Sequence, residues 1–150
     1  MERNLKNTKD TEKMAWDVLE ILSEVVEKTN QATLVTLSGE LGAGKTTFVK
    51  ALAEKLCVSE DVTSPTFVIE RRYKTKHKIF SKLVHIDCYR LENGKELQNL
   101  EWIDRLSEPG SLIALEWPEK VREVIPENVI EIEFQVGEGD QRVVNIKGLK

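Results

Sequence analysis

A glycine-rich motif in the first third of the chain constrains its fold more than any other feature. Residues 39–46 read GELGAGKT, a full match to the pattern G-x-x-x-x-G-K-[ST]. The β-branched run TLVTL at 33–37 precedes it, and apolar residues at helical spacing follow over 46–56. In such a strand–loop–helix unit, glycines turn successive amides inward and the helix N-terminus adds partial positive charge. The motif predicts a phosphate-binding loop, with Lys45 reaching the β- and γ-phosphates and the Thr46 hydroxyl ligating magnesium.

The rest of the apolar pattern places this loop in an α/β domain. Helical periodicity starts at Asp10 or Thr11 and continues to about residue 30, and a weaker helical pattern covers 96–106. A strand opens at 67, returns over 82–87 and is followed by a buried strand at 112–115; alternating segments at 129–136 and 142–146 flank the turn GEGD. We predict a P-loop NTPase-type three-layer sandwich with a mostly parallel central sheet and a C-terminal antiparallel hairpin. A single domain would cover 11–150, after a loose polar arm at 1–10.

Composition excludes several classes of protein. The chain has 150 residues, enough for one domain, and 40% of them are hydrophobic while 32% are charged, which is typical of a globular fold. The sequence has neither an apolar run long enough to span a membrane nor an apolar N-terminal signal segment. Cys57 and Cys88 form no CxxC pair, so reduced thiols are expected rather than a zinc site or a disulfide framework. A cytoplasmic protein with no membrane association is the expectation.

The charge of the chain is unevenly distributed, although the net charge is −4. Residues 70–82, hereafter the basic segment, contain one acid, Glu70, and six basic residues: Arg71, Arg72, Lys74, Lys76, Lys78 and Lys82. Such a run could contact RNA or an acidic protein. The alternative is a solvated hairpin whose long charged side chains protect an edge strand, and the local pattern favours this second interpretation.

Acidic residues end two of the predicted strands. Asp87 closes the strand at 83–86, and Glu116 closes the strand at 112–115. Ligands of open α/β sheets lie at the carboxyl ends of the strands, so either acid is placed to hold a magnesium shell or orient a water molecule. The spacing does not decide which of them contacts the metal. The hydroxyl-rich run TSPT at 63–66 is typical of an ordinary turn, although P-loop GTPases have a γ-phosphate switch at this place.

Taken together, four motifs resemble those of the TsaE (YjeE) family. They are GELGAGKTT at 39–47, TSPTF at 63–67, HIDCYRL at 85–91 and LEWPE at 115–119, and Thr11 resembles the family's N-terminal threonine motif. The resemblance runs from about Thr11 to Arg142. It implies an ATPase of bacterial tRNA modification that works with TsaB and TsaD to make threonylcarbamoyladenosine on ANN-reading tRNAs. By the same resemblance, TsaD would carry out the transfer, ATP hydrolysis would reset the complex, and tRNA would be reached indirectly through the complex.

The resemblance also implies roles for individual residues, with ATP and Mg²⁺ as cofactors. Thr46 and Glu116 would ligate magnesium, and Asp87 would support hydrolysis. The phosphates would be cradled by Gly42, Ala43, Gly44, Lys45, Thr46 and Thr47. Thr11 would lie near the adenine, and Ser64 and Thr66 would form a switch-like segment. Trp117 would adjoin the metal site, and Arg142 would reach the nucleotide. For residues 63–66, the family pattern thus favours the switch over the ordinary turn.

Two other functions fit a P-loop chain of this size. One is a small phosphotransferase, which normally needs an arginine-bearing lid. The chain has seven arginines, and Arg71 and Arg72 are the nearest substitute for such a lid. The other is a nucleotide-dependent binding module with negligible turnover, whose output is a conformational change. The combined motifs favour the ATPase over both.

Overall fold

The computed structural model describes residues 1–26, 30–65 and 69–148. Seven strands form one sheet in the order β1-β7-β6-β2-β5-β4-β3. The strands are β1 (Glu2–Leu5), β2 (Thr33–Ser38), β3 (Glu70–Lys74), β4 (Lys82–Asp87), β5 (Ser111–Glu116), β6 (Ile130–Val136) and β7 (Arg142–Lys147). The helices are α1 (Thr8–Val26), α2 (Lys45–Lys55), α3 (Gly94–Gln98) and α4 (Trp102–Leu106), and two 3-10 turns cover Pro118–Lys120 and Arg122–Val124.

The centre of the sheet is parallel and its margins are antiparallel. Strand β2 lies between β5 and β6 and runs parallel to both, and β4 runs parallel to β5. Strands β6 and β7 form the antiparallel C-terminal hairpin, and β3 pairs antiparallel with β4 at the far edge. The prediction of an α/β fold with a mostly parallel central sheet and a C-terminal hairpin is confirmed. The parallel strands β2, β4 and β5 therefore end at one common edge.

Helical layers cover both faces of this sheet. On one face, α1 and α2 contribute to the larger apolar core, in which the rings of Phe48 and Phe134 meet edge to face with centroids 5.9 Å apart. On the other face, Leu97, Trp102 and Val121 pack against the opposite side of β4 and β5. Because side chains alternate along a strand, the apolar residues of β4 and β5 point by turns into one core and then into the other.

The expectation of a loose arm at 1–10 is wrong. Residues 2–5 form β1, which pairs with β7, and Leu5 is buried. Helix α1 begins at Thr8, earlier than the sequence pattern predicted. The side chain of Asn7 accepts a hydrogen bond from the backbone N–H of Asp10, and the Asp10 carboxylate accepts one from the N–H of Lys6. The bond to Asn7 satisfies an N–H group in the first turn of the helix, and the bond from Lys6 holds the preceding residue against that turn, so α1 begins two or three residues earlier than expected.

The weak helical pattern over 96–106 also resolves differently from the prediction, as two short helices. Glu101 adopts a left-handed backbone with φ of 62° between α3 and α4. Trp102 follows it, is buried, and donates a hydrogen bond from its indole N–H to the carbonyl oxygen of Val124 at 3.0 Å. The break thus directs a large aromatic ring into the smaller core.

Across residues 1–26, 30–65 and 69–148, no helix combines the length and the apolar character that crossing a membrane requires.

Candidate functional site

The loop at 39–44 joins the end of β2 to the start of α2 and depends on its glycines. Gly39, Gly42 and Gly44 have φ angles of 138°, 77° and 111°, a region that favours glycine. A side chain at Gly39 would also place its Cβ 2.5 Å from the carbonyl oxygen of Phe134 on β6. Two constraints, backbone angle and close packing, therefore require glycine at this position and hold the loop against the sheet.

Lys45 is nearly buried at the first turn of α2, with 5% of its surface exposed. Its ammonium group donates hydrogen bonds to the carbonyl oxygens of Gly39 and Glu40, and it lies 3.9 Å from the centroid of the Trp117 ring. Burial lowers the pKa of Lys45, and the nearby carboxylate of Glu116 acts most strongly in the opposite direction. The loop thus holds a positive charge inside its own curve.

Two carboxylates end neighbouring strands beside this lysine. Asp87 on β4 and Glu116 on β5 are direct register partners, and both are buried. Ala114 lies two positions before Glu116 on β5, and Leu83 lies four positions before Asp87 on β4. Both belong to the core formed with α1 and α2. Strand alternation therefore puts both carboxylates on the face that carries α2. Asp87 also accepts a hydrogen bond from the backbone N–H of Tyr89 at 2.9 Å.

His85 joins these two residues, although sequence reasoning did not select it as a site residue. Its imidazole is fully buried, and Nε2 lies 2.5 Å from the Glu116 carboxylate. We call His85, Asp87 and Glu116 the strand-end cluster. A signal was available: His85 is the only polar residue within the run LVHI on β4, and it stands two residues before Asp87, hence on the same face.

Most of the residues selected from the sequence line one cavity of about 230 Å³. Its walls are formed by Leu41, Gly42, Gly44, Lys45, Thr46, Thr47, Ser64, Asp87, Tyr89, Glu116 and Trp117. Leu41 and Tyr89 were missed; Tyr89 is 39% exposed, and its ring lies 5.1 Å from that of Trp117. Their signal was position alone, within the glycine loop and two residues after Asp87. The phosphate loop, Ser64 and the two carboxylates thus share one opening.

A second cavity of about 290 Å³ lies on the other side of the loop and contains Thr11 and Arg142. One guanidinium nitrogen of Arg142 donates a hydrogen bond to the carbonyl oxygen of Gly42 at 3.1 Å. Gly42, Gly44 and Thr47 line both cavities. The chain's first helix and its terminal hairpin therefore meet at the phosphate loop.

Among the selected residues that the structure describes, Ala43 lines neither cavity. The side chain of Ala43 is buried in the core, and its backbone N–H donates to the carbonyl oxygen of Glu40 at 3.1 Å. Thr66 lies outside the described residues.

The donor atoms around the first cavity fit a magnesium–nucleotide pair. Carboxylates and a threonine hydroxyl are hard oxygen donors, which Mg²⁺ prefers together with substrate phosphates. In the part of the chain that the structure describes, no group of three His, Cys, Asp or Glu side chains is arranged to hold a metal. An ion at this edge would therefore take ligands from the Thr46 hydroxyl and from the phosphates as well as from a carboxylate.

Comparisons with known proteins agree with this geometry. The family model described as "Threonylcarbamoyl adenosine biosynthesis protein TsaE" matches residues 5–144. The chain is 42% identical over 121 residues to the tRNA threonylcarbamoyladenosine biosynthesis protein TsaE of Streptomyces coelicolor, covering 77% of this chain and 80% of the relative. It is 34% identical over 114 residues to the TsaE protein of Rickettsia bellii, covering 75% and 76%. The crystal structure of Bacillus subtilis YdiB is similar at a TM-score of 0.73 and 25% identity, covering all of this chain and 86% of the other.

Proposed function

The chain belongs to the TsaE family of tRNA threonylcarbamoyladenosine biosynthesis, as its motifs predicted, and from this premise we propose that it is the ATP-hydrolysing subunit of that system. The observation that carries the proposal is the shared cavity, in which the phosphate-loop residues Lys45 and Thr46 face Asp87 and Glu116. A positive charge and two carboxylates at one opening are what a magnesium–triphosphate needs for binding and hydrolysis.

The roles follow from the chemistry of each side chain. Lys45 places a charge against the β- and γ-phosphates, and backbone N–H groups of the glycine loop donate to phosphate oxygens. The Thr46 hydroxyl and the Glu116 carboxylate would hold Mg²⁺, whose charge would offset the negative charge of the phosphates. Asp87 would accept a hydrogen bond from the attacking water or from a water of the metal shell and so fix the orientation of that water.

The surrounding residues contribute binding and exclusion of water. Arg142 and Thr11, in the second cavity, are proposed to contact the nucleoside side of ATP. Trp117 covers Lys45 and shields its ammonium from water, which strengthens that charge toward phosphate. Ser64 and Thr66 are proposed to act as a switch-like segment, because Ser64 lines the first cavity.

We propose that this ATPase acts in the cytoplasm with TsaB and TsaD, and that hydrolysis resets their complex between turnovers. The support is the family's place in tRNA threonylcarbamoyladenosine biosynthesis. Contact with tRNA would be indirect, through the complex. Residues 11–150 are proposed to work as one domain, to which β1 adds an edge strand.

The phosphotransferase alternative has less support. Arg71 and Arg72, the nearest substitute for an arginine lid, lie on β3 and line neither cavity among the described residues. Arg72 is instead paired with Glu70 at 2.5 Å. No second function is therefore proposed.

Steady-state phosphate release from Mg-ATP tests the proposal, first with the purified chain and then with TsaB, TsaD and tRNA added. We expect slow release that rises with the partners and disappears in Lys45→Ala. An unchanged rate while the complex demonstrably assembles would contradict the resetting role and favour a conformational binding module. Release by Lys45→Ala at the parent rate would contradict the site itself.

A further inference from the structure

The contact between His85 and Glu116 is a buried polar contact within the candidate site. His85 is fully buried, Glu116 is 3% exposed, and the Nε2–Oε2 distance is 2.5 Å. An ionised carboxylate has no proton to give, so the imidazole donates from Nε2. The bond crosses from β4 to β5, and it joins a side chain inside the sheet to one at its edge.

A buried imidazole is a costly way to fill this position. The neighbours of His85 on the same face of the sheet, Leu83 and Ala114, are apolar and fully buried. Nδ1 of His85 is also buried, and within the described residues it has no hydrogen-bond partner. An apolar side chain of similar volume would avoid both the desolvation of the ring and the unpaired nitrogen. The bond to Glu116 is an interaction that a histidine makes at this position and an apolar side chain could not.

Glu116 is a residue for which such a bond matters. Its side chain has three rotatable bonds, so a carboxylate at the end of β5 can point in several directions. The bond to His85 fixes one carboxylate oxygen on the side of β4, while Glu116 also lines the cavity that contains Thr46. A metal ligand that is held by an outer partner is already oriented before the metal binds.

We propose that His85 is a positioning residue that orients the Glu116 carboxylate toward the magnesium of a bound nucleotide. The inference rests on the proposed function, because it assigns Glu116 to magnesium. His85 itself acts only through Glu116 and lies outside the first cavity's lining residues. Removing an outer-shell partner of this kind typically weakens metal binding by about 10- to 100-fold.

The experiment is a magnesium titration of nucleotide binding by calorimetry, with the non-hydrolysable ATP analogue AMP-PNP as the probe. The variants are His85→Ala, His85→Gln and His85→Asn. We expect His85→Ala to raise the half-saturating Mg²⁺ concentration by about 10- to 100-fold, while AMP-PNP affinity in EDTA stays within about twofold. Glutamine places an N–H donor close to the position of Nε2, whereas the shorter asparagine mimics Nδ1. His85→Gln should therefore keep the half-saturating Mg²⁺ concentration of the parent, whereas His85→Asn should raise it as His85→Ala does.

Val84→Ala is the matched control, because Val84 is the buried preceding residue on β4 and faces the other core. It removes packing but leaves the bond to Glu116, so it should lower thermal stability without changing the magnesium requirement. The proposal would be overturned if His85→Ala and His85→Asn both kept the magnesium dependence of the parent. It would also be overturned if His85→Ala lost as much AMP-PNP affinity in EDTA as it loses in the presence of Mg²⁺. If His85→Ala does not fold, the difference in half-saturating Mg²⁺ concentration between His85→Gln and His85→Asn tests the proposal instead.

The titration also separates this inference from the proposed function. If the parent chain binds no AMP-PNP, or binds it without regard to Mg²⁺, the proposed function fails. If Glu116→Gln abolishes the magnesium dependence of the parent while all three His85 variants retain it, only the role of His85 fails.

Discussion

The molecule carries two concentrations of charge, and it treats them in opposite ways. In the strand-end cluster, His85, Asp87 and Glu116 are all buried, and each position is set by the register of β4 against β5. In the basic segment, the side chains from Arg71 to Lys78 that carry charge are exposed, and Lys82 pairs with Glu108 while both stay about one-third exposed. Exposed pairs of this kind contribute about 0–1 kcal/mol. Burial thus distinguishes charge that is held in one geometry from charge that remains in solvent.

One cysteine lies next to each region. Cys88 directly follows Asp87 and is buried, whereas Cys57 is exposed in the turn after α2. The carbonyl oxygen of Leu56, next to Cys57, accepts a hydrogen bond from the N–H of Lys76 in the basic segment. The reactivity of each thiol therefore serves as a probe of solvent access next to one of the two regions.

The largest expected difference concerns the reactivity of these thiols. Burial, reinforced by the negative charge of Asp87, raises the pKa of Cys88 to about 12. At pH 8 its thiolate fraction is then about a thousandfold below that of an ordinary thiol. We expect iodoacetamide to modify Cys57 and leave Cys88 unmodified in the folded chain, as read by peptide mass spectrometry. Comparable labelling of both cysteines would contradict the difference in burial between Cys57 and Cys88.

The same pKa shift has a consequence for stability at alkaline pH. The unfolded thiol ionises near its ordinary pKa, whereas the folded thiol stays protonated until about pH 12. Over that interval the folded state binds more protons, so the Cys88 contribution lowers the free energy of unfolding as pH rises. Denaturant titrations of Cys88→Ala against the parent, at pH 8 and pH 10, should show a smaller alkaline loss in the variant.

Removing the buried lysine should have the next largest effect. Lys45→Ala deletes the charge that we propose faces the phosphates, and we expect phosphate release from Mg-ATP to fall by roughly 100- to 1,000-fold. Lys50→Ala is the matched control, since Lys50 is exposed on the same helix. A similar loss in both variants would mean that the helix, rather than the buried charge, determines the rate.

Neutralising one carboxylate should act through the metal. Glu116→Gln keeps the volume of the side chain and an oxygen for His85, but it removes the charge. We expect the half-saturating Mg²⁺ concentration for AMP-PNP binding to rise by at least about tenfold, with affinity in EDTA nearly unchanged. Glu119→Gln changes an exposed acid three residues further along the chain and should leave the titration in place. An equal shift in both variants would point to general electrostatics.

Reversing the exposed charges should have the smallest effect on the chain itself. The triple change Lys74→Glu, Lys76→Glu and Lys78→Glu should leave phosphate release at the parent rate and alter the free energy of unfolding by less than about 1 kcal/mol. We expect it to weaken assembly with TsaB and TsaD, less so at high salt. The same three-charge reversal at Lys6, Lys13 and Lys95 controls for net charge. Unchanged assembly at low salt would identify the basic segment as a solvated edge.

The sequence was sufficient for the phosphate loop because its constraints are local. The glycines, the lysine and the flanking strand and helix all lie within 33–56, and the acids at 87 and 116 follow apolar runs that end at the same sheet edge. The pairing of β1 with β7 was not predictable in this way, because it joins residues from opposite ends of the chain. The His85–Glu116 bond was missed for a similar reason: it requires the register of two strands that the sequence only outlines.

The seating of Gly39 against Phe134 has a consequence for the order in which the chain folds. Gly39 packs on the backbone of Phe134, Gly42 accepts a bond from Arg142, and β2 pairs with β6, so the loop is completed by residues that lie about a hundred positions later. Contacts between such distant residues form late, after the entropy of closing a long loop has been overcome. We therefore expect the loop at 39–44 to take its final shape only once these distant residues have docked against it.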